Sequence, residues 1–240
     1  MLLTMTLTWY APVTVFGQSN VQITVGDFSA GEVGVHPPFG WQDLTFDKIP
    51  GHTQYESVKD GETVVIRAQS RSSASGLIRK IEIDPREYPI LAWRWKVDGV
   101  LKKGDAREKA GDDYAARIYI SFAYDPSRLS FVERMKYKVA KLLHGEYPPS
   151  AVLNYIWGNR VPVNVMLPSP YTDRSMMIVV QSGDHLARQW VQEERNILMD
   201  FGEAFNAEPP IISGVAIMTD SDNTGETATA WYGDIIFRKE

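Results

Sequence analysis

The chain has 240 residues, 44% hydrophobic and 23% charged, with no cysteine. That length fits one large all-β core, and the missing thiols exclude a disulfide scaffold, thiolate catalysis and a lipidated N-terminal cysteine. Lys and Arg number 25 against 30 Asp and Glu, a net charge of -5, and such a surface disfavours nucleic acid because it repels a phosphate backbone.

From Met1 to Gly17 no side chain is charged, and small residues at Val15 and Gly17 suit a signal-peptidase cut ahead of Gln18. The expectation is a signal peptide over 1–17 and one mature domain over 18–240, periplasmic or secreted. A buried N-terminal strand is the other way to place this run. Beyond it no apolar stretch approaches the roughly 20 residues of a membrane helix.

Short alternating or β-branched segments then follow one another: Val21 to Val25, Gln54 to Val58, Thr63 to Gln69, Gly76 to Ile83, Ile90 to Val97, Tyr114 to Ala123, Ala151 to Trp157, Ser175 to Ser182, Ile211 to Thr219 and Thr227 to Phe237. Turn signals such as Asp60-Gly61, Asp84-Pro85 and Asp98-Gly99 separate several of them. This is the pattern of an all-β fold, a jelly-roll-like β-sandwich, with two inserted helices. Period 2 puts Leu91, Trp93, Trp95 and Val97 on one face, toward the core, and Arg94 and Lys96 on the other. The first helix is predicted over 128–143, with Val132, Met135, Val139, Leu142 and Leu143 inward and a basic opposite face for an acidic partner, a membrane surface or plain solvent. The second runs from about Arg195 to Phe205, with Ile197, Leu198, Phe201 and Phe205 inward, and stops at Glu208-Pro209-Pro210.

Familiar catalytic devices are missing: there is no G-x-S-x-G elbow, no H-E-x-x-H and no G-x-G-x-x-G opening a helix. His36, His52, His144 and His185 are scattered with no partner at ligand spacing, which disfavours zinc or a histidine triad. Asp220-Ser221-Asp222-Asn223-Thr224-Gly225 has the shape of the first half of a calcium loop, with Asp220, Asp222 and Thr224 as oxygen ligands. Trp231 stands where an EF-hand needs its closing Glu, so a further ligand must come from Glu226 or a distant carboxylate. A plain polar turn also explains the segment. Asp105, Glu108, Asp112 and Asp113 form a second acidic group. If the fold brings it to Asp220 and Asp222, the shared pocket must bind a cation or keep protons. Asp112 or Asp113 with Asp222 is then the pair that glycoside hydrolysis would use. Arg117 pairs with one of these acids or meets a ligand. In Asn154-Tyr155-Ile156-Trp157 rings and amides combine as sugar binding requires, though core packing also accounts for Tyr155 and Trp157.

Several stretches carry a resemblance: Tyr88-Pro89-Ile90-Leu91-Ala92-Trp93-Arg94-Trp95-Lys96-Val97, Gly111-Asp112-Asp113-Tyr114-Ala115-Ala116-Arg117, Leu153-Asn154-Tyr155-Ile156-Trp157, and Met218 to Glu226. In these the chain resembles DUF3047, a bacterial domain of unknown function, a resemblance that implies no activity or site. Gly26-Asp27-Phe28 and Tyr232-Gly233-Asp234-Ile235-Ile236-Phe237 look like the paired end strands of galactose-binding-like jelly rolls, a likeness of architecture that does not carry function. The leading expectation is an exported, non-catalytic glycan-binding sandwich with Asn154, Tyr155, Trp157 and Arg117 at the ligand and a calcium ion at the Asp220 loop. The alternatives are a carbohydrate-active enzyme, hydrolase or lyase, and a partner-binding envelope protein that uses helix 128–143.

Overall fold

The computed structural model describes residues 21–128 and 147–240, together with Met135, Tyr137 and Lys141. The predicted signal peptide and most of the predicted basic helix lie outside the described residues. Met135, Tyr137 and Lys141 are helical, but Met135 is exposed. The inward residue is Tyr137, whose ring lies 4.4 Å from that of Tyr124. The expected stripe therefore misplaced Met135.

The strands are β1 (Gln22–Gly26), β2 (Gln42–Leu44), β3 (Gln54–Asp60), β4 (Thr63–Arg71), β5 (Ala74–Ile83), β6 (Ile90–Val97), β7 (Arg117–Phe122), β8 (Ala151–Gly158), β9 (Met166–Ser169), β10 (Thr172–Ser182), β11 (Val191–Asn196), β12 (Ile212–Asp220) and β13 (Thr227–Arg238). Helix α1 spans Ile197–Phe205. One sheet is ordered β11-β6-β13-β4-β3, with β1 also on β13; the other is β2-β5-β12-β7-β8-β10-β9. Neighbours are antiparallel except β8 and β10, which run parallel. The result is an all-β sandwich of jelly-roll-like architecture.

Alternation along the strands builds the core. Leu91, Trp93, Trp95 and Val97 are all buried, and they meet Tyr155 and Trp157 from the opposite sheet. The Trp93 and Tyr155 ring centroids are 5.4 Å apart and those of Trp95 and Trp157 5.9 Å, spacings at which ring pairs add about 0.5–1.5 kcal/mol beyond their buried area.

Helix α1 begins two residues later than expected because β11 continues through Asn196. The Asn196 side chain accepts from the Met199 N–H and caps the first turn. Ile197 and Phe201 are buried as predicted, while Leu198 and Phe205 are only partly so. Asp200 anchors the helix from beneath, accepting from Tyr155 Oη (2.6 Å) and from Arg195 Nε (2.9 Å) and Nη2 (2.5 Å).

Two connections position the site. β6 is antiparallel to β13, with Val97 opposite Ala230, and β7 is antiparallel to β12, with Arg117 opposite Met218. The chain leaves β6 for the other sheet through 98–116 and leaves β12 for the first sheet through 221–226. Both crossings therefore fall at the same end of the sandwich. Topology alone brings the two acidic stretches together.

Candidate functional site

At that end, the outer face of the seven-stranded sheet carries a cleft of about 380 Å³. Period 2 selects its floor. On β7, Ile118, Ile120 and Phe122 enter the core, so Arg117 and Tyr119 face outward. On β12 the inward residues are Val215 and Ile217, leaving Met218 and Asp220 outward, and on β8 Asn154 is outward because Leu153 and Tyr155 are inward. Ser175 of β10 completes the floor, and Phe46, Ile49, Asp112, Tyr171, Asp222 and Asn223 come from loops around it.

The carboxylates differ in what holds them. Asp113 is fully buried. It accepts from Asn223 N–H (3.3 Å) and Asn223 Nδ2 (3.1 Å) on one oxygen, and from Thr224 N–H (2.6 Å) on the other. Asp220 accepts from Tyr114 N–H (3.3 Å) and from Arg117 Nη2, and Arg117 Nη1 also stands 3.7 Å from Asp112. Burial pushes Asp220 well above the usual carboxylate range, Arg117 opposing and Asp113 and Asp112 reinforcing. Burial also raises Asp112, against the pull of Arg117. Asp222 is raised by burial and then by the neighbouring charge of Asp113. Behind the loop, Ser221 Oγ lies 2.6 Å from Ser70 Oγ and Ser221 N–H donates to Ser73 O (3.0 Å), while Thr219 Oγ1 donates to Ala115 O (2.8 Å). Gly225 closes the turn at φ +70°, where a side chain would be strained. The site is thus set before any ligand arrives.

Among the described residues, three buried side-chain oxygens have no hydrogen-bond partner, Asp112 Oδ1, Asn154 Oδ1 and Thr224 Oγ1, and Arg117 Nε at the same cleft is a buried donor without one. Leaving such a group unpaired costs about 1–3 kcal/mol each, so the surroundings of this cleft leave both acceptors and a donor open.

Of the residues singled out in the sequence, Asp112, Asp220, Asp222, Arg117 and Asn154 line the cleft, with Asp113 directly behind and Thr224 buried beside it. Tyr155 and Trp157 do not belong to it. Both are 0% exposed in the core, with no ring face for a ligand. Their shared strand face was read correctly, but it is the inner one. Glu226 accepts from Lys103 N–H (2.9 Å) and does not line the cleft, and neither do Asp105 and Glu108. Sequence reasoning missed Tyr119, which alternation with Arg117 could have supplied. It also missed Tyr171 and Phe46, which lie in loops that carry no local signal of the cleft.

No curated protein matches this chain significantly. The model of the family described as Protein of unknown function (DUF3047) matches residues 39–236, which is most of the chain, and the protein belongs to that family.

Proposed function

We propose that the protein is an exported, non-catalytic glycan-binding sandwich whose ligand occupies the outer cleft of the seven-stranded sheet. The observation that carries this reading is the pair of unpartnered acceptors, Asp112 Oδ1 and Asn154 Oδ1, in residues only 6% and 2% exposed. Hydroxyl groups are the donors that such acceptors lack, and the rings of Tyr119, Tyr171 and Phe46 offer apolar faces to sugar C–H groups. Export draws on the uncharged run 1–17, with Val15 and Gly17 placed for a cut ahead of Gln18.

A hydrolase needs one free acid and one free nucleophile or base. Asp113 and Asp220 are committed to protein donors, and Asp112 is drawn to Arg117 at 3.7 Å, which leaves Asp222 as the acid of the cleft least engaged by the fold and favours binding over catalysis. One observation favours the enzyme alternative: Asp222 is half-buried at the cleft with its carboxyl raised, as a general acid would be.

The test is binding of soluble oligosaccharides to the purified protein, read by calorimetry, with chromatography of the mixture for cleaved products. Asn154→Ala is expected to weaken binding tenfold or more with no matching loss of melting temperature, since removing the orphaned Asn154 Oδ1 offsets the packing that the smaller side chain gives up. No heat of binding with any neutral or acidic oligosaccharide at millimolar concentration would sink the proposal. Products that vanish in Asp222→Asn would replace it with the enzyme.

A further inference from the structure

The outer cleft ends in a cluster that glycan binding leaves unexplained. Asp113, Asp220 and Asp222 each place a carboxylate oxygen within 4.8 Å of the others. Two oxygens that share one calcium ion at 2.3–2.6 Å stand at most about 5 Å apart, so these three are close to the spacing of a shared ion and need only small side-chain shifts, each oxygen keeping a lone pair beside the N–H groups it accepts from. Asp112 adds a fourth carboxylate through Arg117, the only guanidinium among the residues lining the cleft. Four acids against one guanidinium would, if all ionised, leave three formal negative charges in a largely buried site, and a divalent cation would remove two of them and favour the ionised forms.

A second observation is independent of the acids. The Thr224 hydroxyl, in a residue only 7% exposed whose N–H donates to Asp113 (2.6 Å), has no partner of its own. A neutral hydroxyl beside carboxylates belongs to the mixed, irregular donor set that calcium accepts and that octahedral magnesium resists. The geometry points to a calcium-class cation site formed by Asp113, Asp220 and Asp222 at the end of the cleft. Such an ion would tie the 98–116 crossing to the 221–226 crossing, and with them the two sheets. The inference stands whatever the cleft itself binds.

The test uses the purified protein, stripped with EDTA, dialysed, and melted in a series of calcium or magnesium chloride. Terbium luminescence excited through nearby tyrosines serves as a second readout. Calcium at a hundredfold excess over its Kd is expected to raise the melting temperature by about 5–10 °C, with magnesium far weaker. Asp222→Asn should stay folded, because the side chain is half-exposed and its polar neighbour in the fold is the like-charged carboxyl of Asp113, and should lose both the rise and the terbium signal. Asp98→Asn, which changes an exposed acid elsewhere, should keep both. No calcium response in the wild type overturns the site, and if Asp222→Asn then melts higher than the wild type, the acids share a proton instead. A response that survives in Asp222→Asn overturns it too, since the ion would then be bound elsewhere.

Discussion

The outer faces of the two sheets use the same residue types to opposite ends. On the six-stranded sheet, register lines up Glu56, Arg67, Trp231 and Lys96 across β3, β4, β13 and β6. Arg67 pairs with Glu56 at 2.5 Å, and Lys96 pairs with Asp60 at 2.5 Å while lying 4.5 Å from the Trp231 ring centroid. Trp190, just ahead of β11, donates its indole N–H to Asp60 (2.7 Å) and stacks under Arg94 at 4.7 Å. Gly233 leaves room for this arrangement, since a Cβ there would stand 2.5 Å from Arg94 Cγ. Glu56 and Asp60 on this face have each found a cation, and Asp60 is held below the usual carboxylate range, chiefly by Lys96. On the seven-stranded sheet, Asp112, Asp220 and Asp222 are pushed above it by burial. Charge answered within the sheet is architecture. Charge left over, beside orphaned oxygens, is what singles out the candidate site.

The largest effect that bears on this contrast is expected from Arg117→Met. Removing the guanidinium leaves Asp112 and Asp220 buried without their cation, and breaking a buried pair from one side costs about 3–5 kcal/mol. Urea unfolding at pH 7 in EDTA measures it, and Arg117→Met with Asp220→Asn should recover more than half. A loss below about 1 kcal/mol would mean that the acids are already neutral, and the contrast between the faces would lose its electrostatic basis.

A smaller effect separates core from site. Tyr155→Phe removes one of three donors to Asp200 and should lower stability by about 1–2 kcal/mol in the same assay. Oligosaccharide affinity should be unchanged, because the ring lies between the sheets. A loss of affinity without a loss of stability would return Tyr155 to the ligand.

How far the sequence foretold this molecule follows from the same physics. Strands with one buried and one exposed face announce themselves by alternation, and Ile90–Val97 was placed to the residue for that reason. The strands missed sit at or near sheet edges: Gln42–Leu44 is three residues long, Met166–Ser169 contains a proline, and Val191–Asn196 is polar enough that its end read as a helix start. The acidic stretches were legible as composition, but their meeting depends on two sheet crossings more than 100 residues apart, and no local pattern carries that. Tyr155 and Trp157 show the remaining ambiguity. Period 2 says which residues share a face and is silent on which face is inside.

The finest test of the contrast is the pH dependence of Asp60→Asn. The carboxylate of Asp60 is stabilised in the folded state by Lys96 and Trp190, so its folded pKa lies below the unfolded value near 3.9. Between that value and neutrality both states carry the charge, and the wild type should exceed the variant by a constant amount, about 1 kcal/mol for a partly exposed pair with one added hydrogen bond. As pH falls below about 4 the unfolded chain takes up the proton first, and stability drains from the wild type until the folded carboxyl is protonated too. The two melting curves should therefore converge at low pH and stay parallel above pH 5. Curves that diverge on acidification would mean that Asp60 behaves like the buried acids of the other sheet, and that the cations around it do not compensate its burial.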